Sequence, residues 1–240
     1  MINIAIILIE PENPGNTGAI CRAMKNFDFN NLILVNPKFD TSSKDLRNRA
    51  KWANDLVDNI KIIKSYNKNT ITNLHKKFDY LIATTAKIGR DYNVLRTPTT
   101  PEQLAERLSE LKKDTSVAIV LGREGSGLTN EEIAQMDFTV TIPSSKKYGT
   151  MNVSHATTII LYEIFKKISE ENIISHITPI SELEKRQMMK ILDDAMDNMH
   201  FLNEKKKETQ RTVWKKMINK SFLSRREAYA LMGFLKKIRK

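Results

Sequence analysis

Short apolar runs that lack polar alternation constrain the fold of this chain more than any other feature. Residues 2–9, 31–35, 61–64, 79–84, 116–121 and 138–142 are the strand candidates, several of them rich in Ile and Val. A strand with one wet face alternates apolar and polar side chains, whereas a strand covered on both faces reads as a continuous apolar run. Segments of helical period separate these runs. Strands alternating with helices predict an α/β domain with a mostly parallel sheet and helices on both faces. Some helix starts are legible as well. Thr100 stands before Pro101 and Glu102, which puts proline at the first helical position, and Thr129 with Glu132 makes a capping box ahead of Ile133.

A different pattern begins after Lys167. The strand signal stops, Pro179 interrupts the chain, and Ser181 with Glu184, then Ser224 with Glu227, restart helices by the capping-box spacing. Helices are expected around residues 182–201 and 208–219 and from Ser224 onward, with a boundary between 169 and 180. The chain thus divides into an α/β domain, residues 1–168, and a small α-helical extension, residues 169–240. The formal charge of +11 is concentrated in the extension: residues 203–240 hold 13 Lys+Arg and 3 Asp+Glu, net +10, against 26 and 25, net +1, in residues 1–202. Lysine and arginine so gathered can replace the counterions condensed on phosphates, which makes the extension a candidate polyanion-binding arm; a solubilising tail is the plainer alternative. Its apolar residues, among them Met188, Leu192, Trp214 and Phe234, predict that it folds or docks.

Composition narrows the function classes. Cys21 is the only cysteine, so an intramolecular disulfide and a cysteine-rich zinc site are both excluded. It lies among Ile20, Ala23 and Met24, which favours a packed thiol over a nucleophile. The longest apolar run, residues 4–9, is far too short to span a bilayer, and no secretory signal precedes it, so a soluble cytoplasmic protein is expected. His75, His155, His176 and His200 show no zinc-like spacing, and no metal is expected. Trp52, near Arg47, Arg49 and Lys51, and Trp214, among Lys215 and Lys216, could stack nucleobases, although packing in a core is the plainer reading of both.

Three segments at strand exits are the candidates for chemistry. Residues 11–22 join the first strand to a helix opening near Thr17; Gly15 and Gly18 permit close approach of a ligand, and Arg22 lies one helical turn beyond Gly18. A tight turn with a surface arginine is the plain alternative. Residues 117–128 run from a buried strand into a loop with Gly122, Gly125 and Gly127, where ligands gather in open α/β sheets. The spacing matches neither the dinucleotide fingerprint nor the P-loop, which disfavours a nucleotide-dependent oxidoreductase. Residues 142–155 lead into a long helix ending near Lys167; Asn152 or Ser154 can cap it, and Lys146 and Lys147 could meet phosphates.

Taken together and in this order, the segments resemble the three signature motifs of the SpoU/TrmH branch of the SPOUT RNA methyltransferases. N-x-G-x-x-x-R reads as Asn16, Gly18 and Arg22, G-x-E-x-x-G as Gly122, Glu124 and Gly127, and N-x-S as Asn152 and Ser154. Each motif alone is weak; their joint occurrence is specific and covers about residues 1–168. Within that branch, the stretch from Glu10 to Gly18, residues 47–52 and the helical extension resemble the TrmJ group. The resemblance implies a deep trefoil knot, a homodimer with a composite active site, S-adenosylmethionine as cofactor, and methylation of a tRNA ribose 2′-hydroxyl at cytidine or uridine in position 32 of the anticodon loop. Another tRNA or rRNA nucleotide is the nearest alternative, and a noncatalytic RNA-binding protein is the alternative from another class. The implied cofactor pocket comprises Thr84, Thr85, Ala86, Gly122, Ile142, Gly149, Thr150 and Met151. The implied catalytic set is Arg22, Asn16, Glu124, Ser154 and Asn152. A guanidinium keeps its proton near neutrality, so Arg22 is expected to clamp the target phosphate and stabilise developing alkoxide, with Asn16 and Ser154 shaping the substrate side and Glu124 orienting Arg22 or the loop.

Overall fold

The computed structural model describes residues 2–86, 98–145, 147–169 and 178–238; Lys146, His176 and much of the expected boundary segment lie outside them. Six strands, β1 (Asn3–Ile9), β2 (Asn31–Val35), β3 (Lys61–Ile63), β4 (Tyr80–Thr84), β5 (Ser116–Leu121) and β6 (Phe138–Val140), form one sheet in the order β3-β2-β1-β5-β4-β6. Every pairing between them is parallel. From β1 the chain moves outward to β2 and β3, whereas β5, β4 and β6 lie on its other side. The carboxyl ends of β1 and β5, paired through Leu8 and Leu121, therefore flank a switch point of the kind where α/β sheets open a ligand crevice.

Side-chain alternation explains why β1 reads as an unbroken apolar run. Ile4, Ile6 and Leu8 pack with α1 (Pro14–Asn26), α2 (Lys44–Ala50), α3 (Asn54–Asp58), α5 (Pro101–Ser109) and α7 (Val153–Ile168). Ala5, Ile7 and Ile9 enter the opposite core with α4 (Thr70–His75) and α6 (Asn130–Ile133). Both faces are thus dry, and both must be apolar. β6 stops at Val140 rather than at residue 142, and Thr99 bridges Val140 in parallel, its N–H donating to the Thr139 carbonyl at 2.8 Å and its carbonyl accepting from Thr141 N–H at 3.0 Å.

α1 begins at Pro14, earlier than expected. Asn13 caps it by accepting from Asn16 N at 3.1 Å, and Pro14 takes the first helical position. Gly18 does not serve ligand approach, as expected from the sequence, but helix packing. A Cβ at Gly18 would lie 2.3 Å from the Leu46 carbonyl oxygen and 2.9 Å from Arg49 Cβ, so only hydrogen lets α1 and α2 meet this closely. Gly18→Ala is accordingly expected to cost about 1–3 kcal/mol through overpacking against backbone. A lower urea midpoint at unchanged slope would show it.

Cys21 is fully buried, and burial pushes its thiol up to about 12, as suits a packed residue. The two tryptophans part company: Trp214 packs against a core, whereas Trp52 is 94% exposed. No helix among the described residues is long and apolar enough to cross a membrane.

The chain divides into two compact units, Met1–Ser169 and Glu170–Lys240. The second contains α8 (Glu182–Asp197), α9 (Glu204–Lys220) and α10 (Arg225–Ile238) around Met188, Leu192, Met196, Ile218, Met232 and Leu235. α8 ends four residues before the expected limit and α9 starts four residues ahead of its expected start, capped by Asn203. Ser181–Glu184 and Ser224–Glu227 both close reciprocal hydrogen bonds at helix starts.

Candidate active site

One asparagine joins the three strand-exit segments. Asn16 Nδ2 donates to Glu124 Oε1 at 3.4 Å, and Asn16 Oδ1 accepts from Asn152 Nδ2 at 3.1 Å. A carboxylate only accepts, so this partner fixes which way the Asn16 amide points. Glu124 also receives the backbone N–H groups of Glu12 at 2.9 Å and Asn13 at 3.2 Å. It therefore holds the loop ahead of α1 and, among the described residues, makes no hydrogen bond or ion pair with Arg22, the other partner considered from the sequence. Asn152 caps α7, its Oδ1 accepting from Ser154 N at 2.8 Å and Ser154 Oγ at 2.7 Å. Ser154 is buried, and its hydroxyl is turned toward Asn152.

Beside this junction opens a cleft of about 330 Å³. Thr84, Thr85, Ala86, Gly122, Ile142, Gly149, Thr150 and Met151 all border it. So do Leu121, Val140 and Ile160, which the sequence reading missed and which add apolar wall. Their signal was present only as core-type residues next to glycine loops. The glycine loop after β5 is a compact turn: Gly127 N donates to the Arg123 carbonyl at 2.9 Å, and Gly127 has φ +70°. A Cβ on Gly122 would fall 2.1 Å from Gly127 C, so a side chain there would force the loop open. A cleft with apolar walls at Leu121, Val140, Ile142 and Ile160 and about as much polar surface from its loops suits an adenosyl group, with room of the size small cofactors occupy. Among the described residues, no group of three His, Cys, Asp or Glu could hold a metal ion.

A second network braces the same loop from behind and was not read from the sequence. Arg123 donates to Glu10 Oε2 at 2.6 and 2.8 Å and to Glu132 at 3.0 and 3.1 Å. Tyr66 OH donates to Glu132 at 2.6 Å, and its ring lies 5.6 Å from the Arg123 guanidinium. The Lys38 ammonium, opposed by burial and joined by Arg123 and Asn36, holds the Glu10 carboxyl down to about 2. Burial pushes the Glu132 carboxyl up, but Arg123 and Tyr66 outweigh it and keep it below the usual range. Glu10, at the end of β1, itself has φ 46°.

Arg22 is exposed on α1 and forms no hydrogen bond or ion pair among the described residues. It lies four residues after Gly18, on the helix that Asn16 ties to both loops. Arg22 does not border the cleft, and an unspent guanidinium on the helix tied to its loops can receive a phosphate or a developing negative charge.

The comparisons agree with this arrangement. The SpoU rRNA Methylase family model matches residues 3–162. The tRNA (cytidine-2′-O-)-methyltransferase TrmJ of Methanocaldococcus jannaschii is 36% identical over 98% of this chain and 100% of its own length. The protein of the same name from Sulfolobus acidocaldarius is 30% identical over 99% and 94%. The crystal structure of TrmJ from Z. mobilis ZM4 shares the fold, with a TM-score of 0.68 and 24% identity over 98% of this chain and 99% of that one. The chain belongs to the SpoU methylase family and, within it, to the TrmJ group.

Proposed function

We propose that this chain transfers a methyl group from S-adenosylmethionine to the 2′-hydroxyl of a tRNA ribose, at a cytidine or uridine in position 32 of the anticodon loop. The names of the full-length relatives support the substrate class. The observation that carries the reading is the Asn16 junction, which sets the Arg22 helix against both loops of the cleft. Residues 1–168 are the catalytic domain, residues 169–240 serve tRNA binding, dimer contacts or both, and the working unit is a cytoplasmic homodimer with a composite site.

S-adenosylmethionine supplies a methyl group on a sulfonium whose leaving group is a neutral thioether. Its adenosyl part would be held by the loop bearing Gly122 and by Gly149, Thr150 and Met151, with Ile142 as apolar wall and Thr84, Thr85 and Ala86 at the end of β4, all of which border the cleft. Arg22 grips the phosphate next to the target ribose and stabilises negative charge as the hydroxyl proton leaves to phosphate or water. Asn16, Glu124, Asn152 and Ser154 keep that geometry fixed before substrate arrives, so that positioning lowers the barrier.

Incubation with methyl-labelled S-adenosylmethionine and bulk tRNA, followed by nucleoside mapping, tests this directly. A 2′-O-methylated pyrimidine is expected, and absence of label from tRNA would refute the reading. The extension makes a separate prediction. Lys215, Lys216 and Lys220 on α9 are exposed and form no ion pair among the described residues. Changing all three to alanine is expected to weaken tRNA binding and to flatten its log K against log salt by about 0.7 to 0.9 per lost phosphate contact.

A further inference from the structure

Trp52 is the anomaly the proposed chemistry leaves unused. It is 94% exposed, in a single turn of 3-10 helix, Lys51–Ala53, between α2 and α3. Free exposure of an indole forfeits apolar burial that the adjacent core could have supplied; Ala50, Ala53 and Leu56 around it are buried. The backbone that turns it outward is itself unfavourable. Lys51 has φ 55° and ψ −117°, a conformation that side-chain-bearing residues avoid and that tends to persist at functional sites.

Its position along α1 is fixed from both sides. Arg49 and Ala50 meet α1 at Gly18, and Asp55 meets α1 at Lys25 through an ion pair of 2.6 Å. Residues 18 and 25 are roughly 10 Å apart on a helix, and the turn carrying Trp52 lies opposite the stretch of α1 between them. That stretch carries Arg22. The charges nearby divide into two groups. Arg47 is spent on Asp58 and Lys25 on Asp55, whereas Arg22, Arg49 and Lys51 form no ion pair among the described residues. Asp45, exposed in the first turn of α2, approaches α1 at Gly15.

We propose that Trp52 is a stacking platform for a nucleobase of the RNA substrate, with Arg22, Arg49 and Lys51 on the flanking phosphates. An indole face offered to water beside unspent cations is the arrangement that holds single-stranded nucleic acid, since every base has a π face and every linkage a charge. The inference rests on the methyltransferase reading and deepens it: the base that Trp52 receives belongs to an unpaired loop, which holds the target ribose near Arg22.

The test uses the full chain with bulk tRNA. In a Trp214→Phe background, tRNA is expected to quench the remaining Trp52 fluorescence. Trp52→Ala is expected to raise KM for tRNA roughly fivefold to a hundredfold, the range of one lost base stack, while leaving S-adenosylmethionine affinity unchanged. Trp52→Phe restores most of the loss, and Arg49→Ala lowers the salt slope by about one contact. If wild type methylates tRNA while Trp52→Ala keeps wild-type KM and no quenching occurs, the platform is refuted and the methyltransferase reading stands. If Trp52→Ala instead dissociates an oligomer, Trp52 faces a second copy of the chain and the platform is equally refuted. Failure of wild type to label any tRNA removes the underlying reading itself.

Discussion

Arg123→Ala is expected to lower folding stability by about 3–5 kcal/mol, the cost of leaving buried charge without its partner. The Glu132 side chain is 4% exposed and that of Glu10 18%, and one guanidinium, itself 16% exposed, bridges them, Glu10 keeping Lys38 and Asn36 as further partners. The pH dependence follows by sign. The folded Glu10 carboxyl is lowered from 4.5 to about 2, so its contribution is complete above its unfolded value and is lost as pH falls through about 2. Removing Arg123 raises the folded value and shrinks this pH-dependent part. Urea unfolding of wild type and variant at pH 7 and in acid measures both effects. Adding Glu132→Gln to Arg123→Met should recover part of the loss, because one orphan charge is then gone; a pair that merely adds would contradict a shared network.

Arg22→Ala is the second large effect. Loss of a single preorganised donor to developing charge typically costs about a hundredfold to a thousandfold in turnover, and Arg22 is expected to fall in that range. S-adenosylmethionine affinity should not change, since Arg22 is not among the residues bordering the cleft. Arg22→Lys keeps the charge but not the planar fork, so its turnover should lie between wild type and alanine. Single-turnover methylation with saturating tRNA, paired with calorimetric titration of the cofactor, separates the outcomes. Wild-type turnover in both variants would take Arg22 out of the reaction.

Much of this was legible in the sequence, for identifiable reasons. β1 and β5 declare themselves because both of their faces are dry, and the starts of α6 and α8 because a hydroxyl and a glutamate three residues apart each accept from the other's exposed N–H. The start of α1 is harder to read: Asn13-Pro14 signals it, but Gly15 and Gly18 argue against helix, and only contact with α2 repays them. The eight residues expected to form a pocket do surround one cleft, yet the motif letters do not say how the loops are tied together. Asn16 meets Glu124 and Asn152 from 108 and 136 positions away, and Arg123 meets Glu10 from 113. Such partners are set by strand order, which periodicity does not specify. Exposure of Trp52 is equally invisible, since an aromatic beside alanines and a leucine reads as core until Lys51 turns the backbone outward.

A crystal structure of the chain with S-adenosylhomocysteine addresses the heart of the matter, that three distant bends build one methyl-donor site. The adenosyl group should lie in the cleft between the Gly122 loop and Met151, with its thioether sulfur open toward an Arg22 guanidinium of the dimer. Binding elsewhere on the chain, or an Arg22 remote from the sulfur in every protomer, would contradict it.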